Sequence, residues 1–351
     1  MTATDDTRFD APTAAAVEPP LVVLRAGFGD PLSLAEAHLL DTRTVEILAA
    51  LVRLARSART EDVRVYLGES ARAAKDAIVQ EVGRLSATDA AVRIEVHEVA
   101  LPWVCAEVTA FLRALQGDRP VPDFSMSTAG PAGEIALTLS GRPVVVADPV
   151  TLVAGEGLLA DSVFTLAGDI ASPRVVEAPA GTTLRELVYG YGGGVAEGRE
   201  LKAVVVGGPV GGLLPSSLLD LPATDDALQP THAGVGTGTV RVIAEPACAV
   251  ALAKVAMDAL AEQSCGKCVC CREGTMQMAE IIGDISAGAG RSADLDLLLE
   301  LARALQNLGT CEWGRSAATP VLSALTHFRQ DFDVHVRNKT CPAGVCKRRA
   351  V

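Results

Sequence analysis

The run SCGKCVCCREGT sets Cys265, Cys268 and Cys271 three residues apart, and Cys311 follows in GTCEWG. No other feature constrains this chain as strongly. Three thiolates at that spacing wrap one corner of a cubane, and the fourth ligand must come from elsewhere in the fold. Cys311 is the donor that the sequence offers. Four thiolates without a histidine suit a [4Fe–4S] cluster. Zinc is the rival for four cysteines, but structural zinc sites usually show two separated pairs, each spanning one edge of a tetrahedron. Adjacent residues point differently, so Cys270 and Cys271 do not serve one cluster. Regular spacing selects Cys271 and leaves Cys270 as a neighbour of the ligand set.

The chain has 351 residues, enough for two or three domains, and 49% hydrophobic residues mark it as globular. Its net charge of −12, with no basic run before the short KRR near the end, argues against a nucleic-acid partner. No stretch approaches about 18 uninterrupted apolar residues, so no membrane span is expected. Residues 1–20, acidic and rich in Pro and Ala, lack the basic-then-apolar order of a signal peptide and are expected to form a flexible tail. Nine cysteines, mostly at ligand-like spacing, fit a reducing cytoplasm better than a disulfide framework. The expected location is therefore cytoplasmic, with attachment to the periphery of a membrane complex left open.

An α+β multidomain fold follows from the order of patterns. Over 21–158, LVVLRAG, VRVYLGES and RIEVHEV alternate with helical stretches such as AEAHLLDTRTVEILAALVRLARSA and CAEVTAFLRALQG, which predicts an α/β layer with parallel pairing. Over 159–245, short β-rich runs are broken by glycine around one helix, TTLRELVYGYGG, which Thr182 or Thr183 can cap. This reads as a β-grasp-like module. Over 246–335 four helical stretches suggest a bundle, with the cysteine triplet between the first two and Cys311 between the last two. Residues 336–351 form a C-terminal tail.

Other candidate sites are weaker. Gly207, Gly208, Gly211 and Gly212 lack the strand–GxxxxGK[ST]–helix context of a phosphate loop and read as a turn. Gly234, Gly236 and Gly238 read as strand-entry glycines. The histidines show no H-x3-H or HExxH spacing, and no GxSxG nucleophile motif is present. Cys341 and Cys346 flank a Pro-Ala-Gly turn near the end. A shared zinc, a cluster supplied by a partner and plain surface thiols all stay open for this pair, because two ligands do not fill a tetrahedral site.

SCGKCVCCREGT resembles the ESCGKCTPCREGT motif of the NADH-binding (51 kDa, F-type) subunits of respiratory complex I, a family that soluble NAD-linked hydrogenases and formate dehydrogenases share. GTCEWGRSAATPVLSALTHFRQDFDVHV is similar to the stretch holding that family's fourth cluster cysteine. APAGTTLRELVYGYGGGV, LKAVVVGGPVGGLLP and GVGTGTVRVIAE are similar to its β-grasp module and the strand that enters its helical bundle. The match is specific from about 160 to 335 and fainter before that. CPAGVC resembles a segment that some bifurcating-hydrogenase subunits carry before a ferredoxin domain.

The departures from the family pattern matter as much. The family's glycine-rich FMN loop, GRGGAGFPTGxKW, has no match; RAGFGDP fits a later, acidic segment better. The family's CGEET helix start is Cys105-Ala106-Glu107-Val108-Thr109 here, and the two asparagines of NNVET are replaced at Ala147 and Asp148. The resemblance thus implies a shortened, degenerate member: a remnant of the flavin domain, a β-grasp module and a four-helix bundle holding one cluster. FMN and NAD are not expected as cofactors. The expected function is an iron–sulfur electron-transfer subunit that relays single electrons, with ferredoxin-like or flavin-containing oxidoreductase subunits as partners. An active FMN-containing NADH dehydrogenase subunit is the alternative, and a non-redox scaffold with a structural cluster is a second. Lys267 and Arg272, inside the ligand loop, are expected to offset cluster charge and raise its potential.

Overall fold

Leu21–Ala26 (β1) is apolar on both faces, and Val22, Val23 and Leu24 are all fully buried. A strand covered on both sides belongs in the middle of a parallel sheet. In the computed structural model, which describes residues 18–88, 92–129, 135–155 and 161–346, β1 pairs in parallel with Asp62–Leu67 (β2) and with Arg142–Ala147 (β6). Residues 1–17 of the tail expected over 1–20, the KRRAV end and the boundary placed at 158 lie outside the described residues.

Ala35–Thr42 (α1) and Thr44–Ser57 (α2) link β1 to β2. The periodicity predicts one continuous helix there. It breaks at Arg43 (φ −134°), whose guanidinium reaches Glu177 at 2.6 Å. Lys75–Thr88 (α3) leads to Arg93–Glu98 (β3), parallel to β2. Val108–Leu115 (α4) leads to Ser127–Ala129 (β4) and Ile135–Leu139 (β5), which runs antiparallel to β6 before Pro149–Gly155 (α5). The sheet order is β3-β2-β1-β6-β5-β4. The chain leaves β1 toward β2 on one side and returns to β6 on the other. The C-terminal ends of β1 and β6 therefore frame a topological switch point, where open α/β sheets hold their ligands.

The second sheet has the order β10-β9-β11-β7-β8, from Asp161–Gly168 (β7), Arg174–Pro179 (β8), Leu201–Val206 (β9), Gly212–Leu214 (β10) and Thr239–Ala244 (β11). β7 and β11 pair in parallel, and antiparallel neighbours flank them. Thr183 caps the helical turn that follows β8. Its N–H donates to Glu186 Oε2 (2.8 Å) and its hydroxyl oxygen accepts from the Glu186 N–H (3.1 Å), a reciprocal pair that holds the chain entry. Gly207 (φ +103°) turns β9 toward β10, and a Cβ there would sit 2.6 Å from the Gly234 carbonyl. The short Asp225–Leu228 (α6) precedes β11.

Beyond β11 the chain is helical: Ala249–Gln263 (α7), Val269–Ser286 (α8), Ser292–Leu308 (α9), Glu312–Ser316 (α10), Thr319–His327 (α11) and Arg329–Arg337 (α12). The last expected helix is two helices, separated at Phe328. That break lets Asp331 accept from the Ala249 N–H (2.9 Å) and pair with Lys202 (3.2 Å), joining α12 to α7 and to the second sheet. Met257, Met278, Ile282, Leu298, Leu322 and Phe332 fill the bundle core. Buried Asp30 ties the two sheets by accepting from the hydroxyls of Thr237 (2.6 Å) and Thr239 (2.7 Å). Among the described residues no helix is long and apolar enough to cross a membrane.

Candidate metal centre

Cys265 and Cys268 lie in the loop between α7 and α8. The helix starts at Val269, with Cys268 as its N-cap, so Cys271 stands in its first turn. Cys311 is the N-cap of α10, and its sulfur accepts from the Gly314 N–H at 3.3 Å. Because α7, α8 and α9 follow one another through short connections, these two loops meet at one end of the bundle. Two helix N-termini thus bring backbone N–H groups and positive dipole ends to one group of sulfurs.

Glycines keep the space open. Gly266 adopts φ +74° inside the loop, a conformation other residues enter at a cost. A Cβ on Gly314 would stand 3.5 Å from Cys311 Sγ and 3.8 Å from Cys271 Sγ, in the space over both sulfurs. Burial pushes the Cys271 thiol up to about 11; the Ser264 hydroxyl opposes this, and the nearby sulfurs of Cys268, Cys265 and Cys311 add to it. Burial also raises Cys311. At Cys268 burial acts upward, but hydrogen bonds from the Thr310 and Cys271 backbone outweigh it and the thiol falls below its ordinary range. Four ionised sulfurs here would repel one another, and cationic iron would offset that repulsion. Among the described residues these four are not drawn to single-ion spacing. A cubane interposes iron and sulfide between its thiolates, so the wider spacing suits it.

The loop docks onto the first layer. Arg119 donates to the Cys265 carbonyl and Lys267 to the Pro122 carbonyl. Gln263 Oε1 accepts from the Trp103 N–H (3.2 Å). Arg272 closes the loop on the Gly266 carbonyl (3.0 Å) and pairs with Glu273 (2.9 Å). Both loop cations are therefore engaged as braces. Cys270 is half-buried against the bundle core.

A crevice of about 520 Å³ opens at the switch point, lined by Arg25, Gly27, Asp30, Glu36, Ala106 and Asp148 among others. Glu36 Oε2 accepts from the Gly27 N–H at 2.6 Å, so a carboxylate already takes a donor at the end of β1. Burial raises Glu36 to about 7, against the Gly27 hydrogen bond, and the charge of Asp148 raises it further. Asp148 caps α5, accepting from the Thr151 N–H (2.8 Å) and hydroxyl (2.6 Å). Glu107 likewise caps α4 through the N–H groups of Thr109 and Ala110. Ala106 closes against Gly29, where a Cβ would come within 2.6 Å of the Ala106 methyl. Glu36 gives no signal in the sequence beyond its place in a helical stretch.

At the other end of α7 a second group forms. The donor atoms of Cys248, His335, Cys341 and Cys346 all lie within 4.8 Å of one another. In the sequence Cys341 and Cys346 are a pair short of ligands. The fold adds Cys248, at the start of α7, and His335, in the last turn of α12.

Residues 251–335 match the model of the NADH-ubiquinone oxidoreductase-F iron-sulfur binding region. The chain is 33% identical over 264 residues to the NADP-reducing hydrogenase subunit HndC of Solidesulfovibrio fructosivorans, an alignment covering 72% of this chain and 54% of that one. It is 28% identical to the F-type subunit of the NADH-quinone oxidoreductase of Mycobacterium bovis, over 94% of this chain and 79% of the relative. Its fold is similar to a chain of the NAD+-reducing [NiFe]-hydrogenase in the H2-reduced state (TM-score 0.78, 26% identity), covering 91% of this chain and 57% of that one. The chain thus spans little more than half the length of its hydrogenase relatives.

Proposed function

We propose that this chain, which belongs to the family of NADH-quinone oxidoreductase F-type subunits and their hydrogenase counterparts, relays single electrons through one [4Fe–4S] cluster held by Cys265, Cys268, Cys271 and Cys311. The observation that carries this reading is the meeting of those four cysteines at two helix N-termini, inside the segment matched by the family's iron–sulfur region. When bound, the cluster supplies reversible one-electron chemistry. The chain's own residues hold it. The backbone N–H of Gly314 bonds a ligand sulfur, and Arg119 and Lys267 seat the loop on the first layer. Both cations also leave positive charge near the cluster, which favours its reduced form.

In this reading residues 21–158 are a flavin domain in degenerate form, 159–245 a β-grasp module and 246–335 the cluster-bearing bundle. Loss of FMN and NADH binding is supported at the crevice. The Gly27 N–H is spent on Glu36, carboxylates of Asp30, Glu36 and Asp148 line the space, and Ala106 fills a position where the family has glycine. A phosphate dianion entering there meets the carboxylates of Asp30 and Asp148, while the Arg25 guanidinium in the lining already donates to the Cys105 carbonyl (2.8 Å). The chain then passes electrons between other oxidoreductase subunits, ferredoxin-like or flavin-containing, as a cytoplasmic or peripheral component. A working FMN-containing subunit is the second reading, favoured by the survival of a crevice at the switch point.

Redox titration of the anaerobically prepared chain separates these readings. A reversible EPR signal without flavin is the expected result. Stoichiometric FMN released by acid, or bleaching by NADH, would restore the dehydrogenase reading. Irreversible loss of the cluster on reduction would favour a scaffold.

A further inference from the structure

We propose that Cys248, His335, Cys341 and Cys346 bind one zinc ion in a closed structural site at the end of the bundle opposite the cysteine loop. Three of the four donor atoms stand at distances suited to the edges of a coordination tetrahedron, and Cys341 Sγ lies within 4.8 Å of each of them. Cys248 Sγ lies 3.7 Å from Cys346 Sγ and 3.7 Å from His335 Nε2, and His335 Nε2 lies 3.3 Å from Cys346 Sγ. Zinc bonds of about 2.3 Å to sulfur and 2.0–2.1 Å to nitrogen give tetrahedral edges of roughly 3.5–3.8 Å. Three soft sulfurs and one imidazole are a common structural zinc set, and four protein ligands leave no open position for chemistry.

The surroundings prepare the ligands. His335 Nδ1 is 2.7 Å from the Asp331 carbonyl, so its N–H donates there and Nε2 is free to face the metal. Cys248 stands at the N-cap position of α7, and the Val250 and Ala251 backbone act favourably on its ionised sulfur. Both Cys248 and His335 are 2% exposed, which keeps water from competing. Gly344, at φ +70°, folds the CPAGVC turn so that its N–H donates to the Cys341 carbonyl (3.0 Å), bringing Cys341 and Cys346 to one side.

The role follows from what the four residues join. Cys248 is where the second sheet hands the chain to the bundle, His335 belongs to α12, and the two remaining cysteines sit in a segment with no regular secondary structure. Such a segment has little of its own to hold it, so a metal that binds it in place stabilises the folded state. The 15 residues of α7 put this site about 22 Å from the cysteine loop. Zinc has no redox chemistry, so the site pins the fold and takes no part in electron transfer.

Metal analysis of the full chain, expressed with both iron and zinc and purified without oxygen, tests this independently of the relay reading. About one zinc per chain is expected, and zinc-edge X-ray absorption should fit three sulfurs and one nitrogen. Cys346→Ser and His335→Gln should each lower retained zinc at least tenfold after dialysis against a chelator and leave iron and sulfide unchanged. Cys268→Ser should do the reverse. Wild-type protein without zinc after supplementation, zinc in an all-sulfur shell, iron in its place, or a Cys248–Cys346 disulfide would each overturn the proposal. The wild-type spectrum decides even where a variant does not fold.

Discussion

At one end of α7, three cysteines stand in a loop bent by Gly266, and a fourth arrives on the N-cap of α10. At the other end, Cys248 and Cys346 lie 3.7 Å apart with His335 closing on both. The donor chemistry is nearly the same, and the spacing is not. Single-ion sites need their donors almost in contact, whereas a cluster needs room for its own iron and sulfide. The two groups also differ in how their ligands are collected. Three of four in the loop come from seven consecutive residues, while the other group gathers residues from 248 to 346. Cysteine content alone would make the two ends look alike; the distance between sulfurs separates them.

Removing a loop ligand should have the largest effect. Cys268→Ser or Cys311→Ser should lower iron and acid-labile sulfide from about four per chain toward zero, or convert the cluster to a three-iron form. The visible iron–sulfur shoulder and the EPR signal check this. A normal cluster in Cys268→Ser would dissolve the contrast between the ends. The wild-type spectrum should also carry that shoulder without flavin peaks.

Gly314→Ala sharpens the comparison without touching a ligand. Gly314 lies inside α10 and the added methyl meets Cys311 Sγ and Cys271 Sγ at ordinary contact distance, so the cluster-free chain should be as stable as the wild type or gain up to about 1 kcal/mol. Cluster occupancy after reconstitution should nonetheless fall, because the methyl takes the cluster's space. Equal occupancy would show that Gly314 serves the turn alone.

Glu36→Gln tests the crevice. The folded chain holds Glu36 protonated up to about 7, against an ordinary 4.5, so between those values it binds a proton that the unfolded chain releases. The Glu36 contribution to stability therefore falls as pH rises through that window and stays low above it. Glutamine should melt with the wild type near pH 4.5 and above it near pH 8, by on the order of 1–2 kcal/mol after allowing for crevice water. No difference at either pH would mean that the carboxylate is fully solvated.

The smallest expected effect is that of Cys270→Ser. The cluster should keep its four-iron form and its EPR line shape, since the proposed ligand set takes Cys271 on the regular spacing. Conversion to a three-iron form would exchange the roles of the two neighbours.

Most strands are legible because burial writes itself into short apolar runs. LVVLRA reads as a strand from its composition, and its central place follows from having no polar face. Helix breaks are not legible. At Arg43 and Phe328 the helical pattern runs on, and it is contacts to Glu177, Ala249 and Lys202 that stop and redirect the chain. Asp148 reads in the sequence as a charge opposed to a flavin; its carboxylate is also the cap of α5, a role set by where Thr151 folds back.

The cysteine triplet, the candidate fourth cysteine Cys311 and the family resemblance can be read from residue order alone, because those cysteines are local or sit in motifs that survive as strings. Packing was needed to give Glu36 the Gly27 N–H, and to complete the Cys341–Cys346 pair with Cys248 and His335. The difference is one of range. A turn or a loop fixes the spacing of neighbours within a few residues, but donors 87 residues apart meet only when α12 packs across the start of α7.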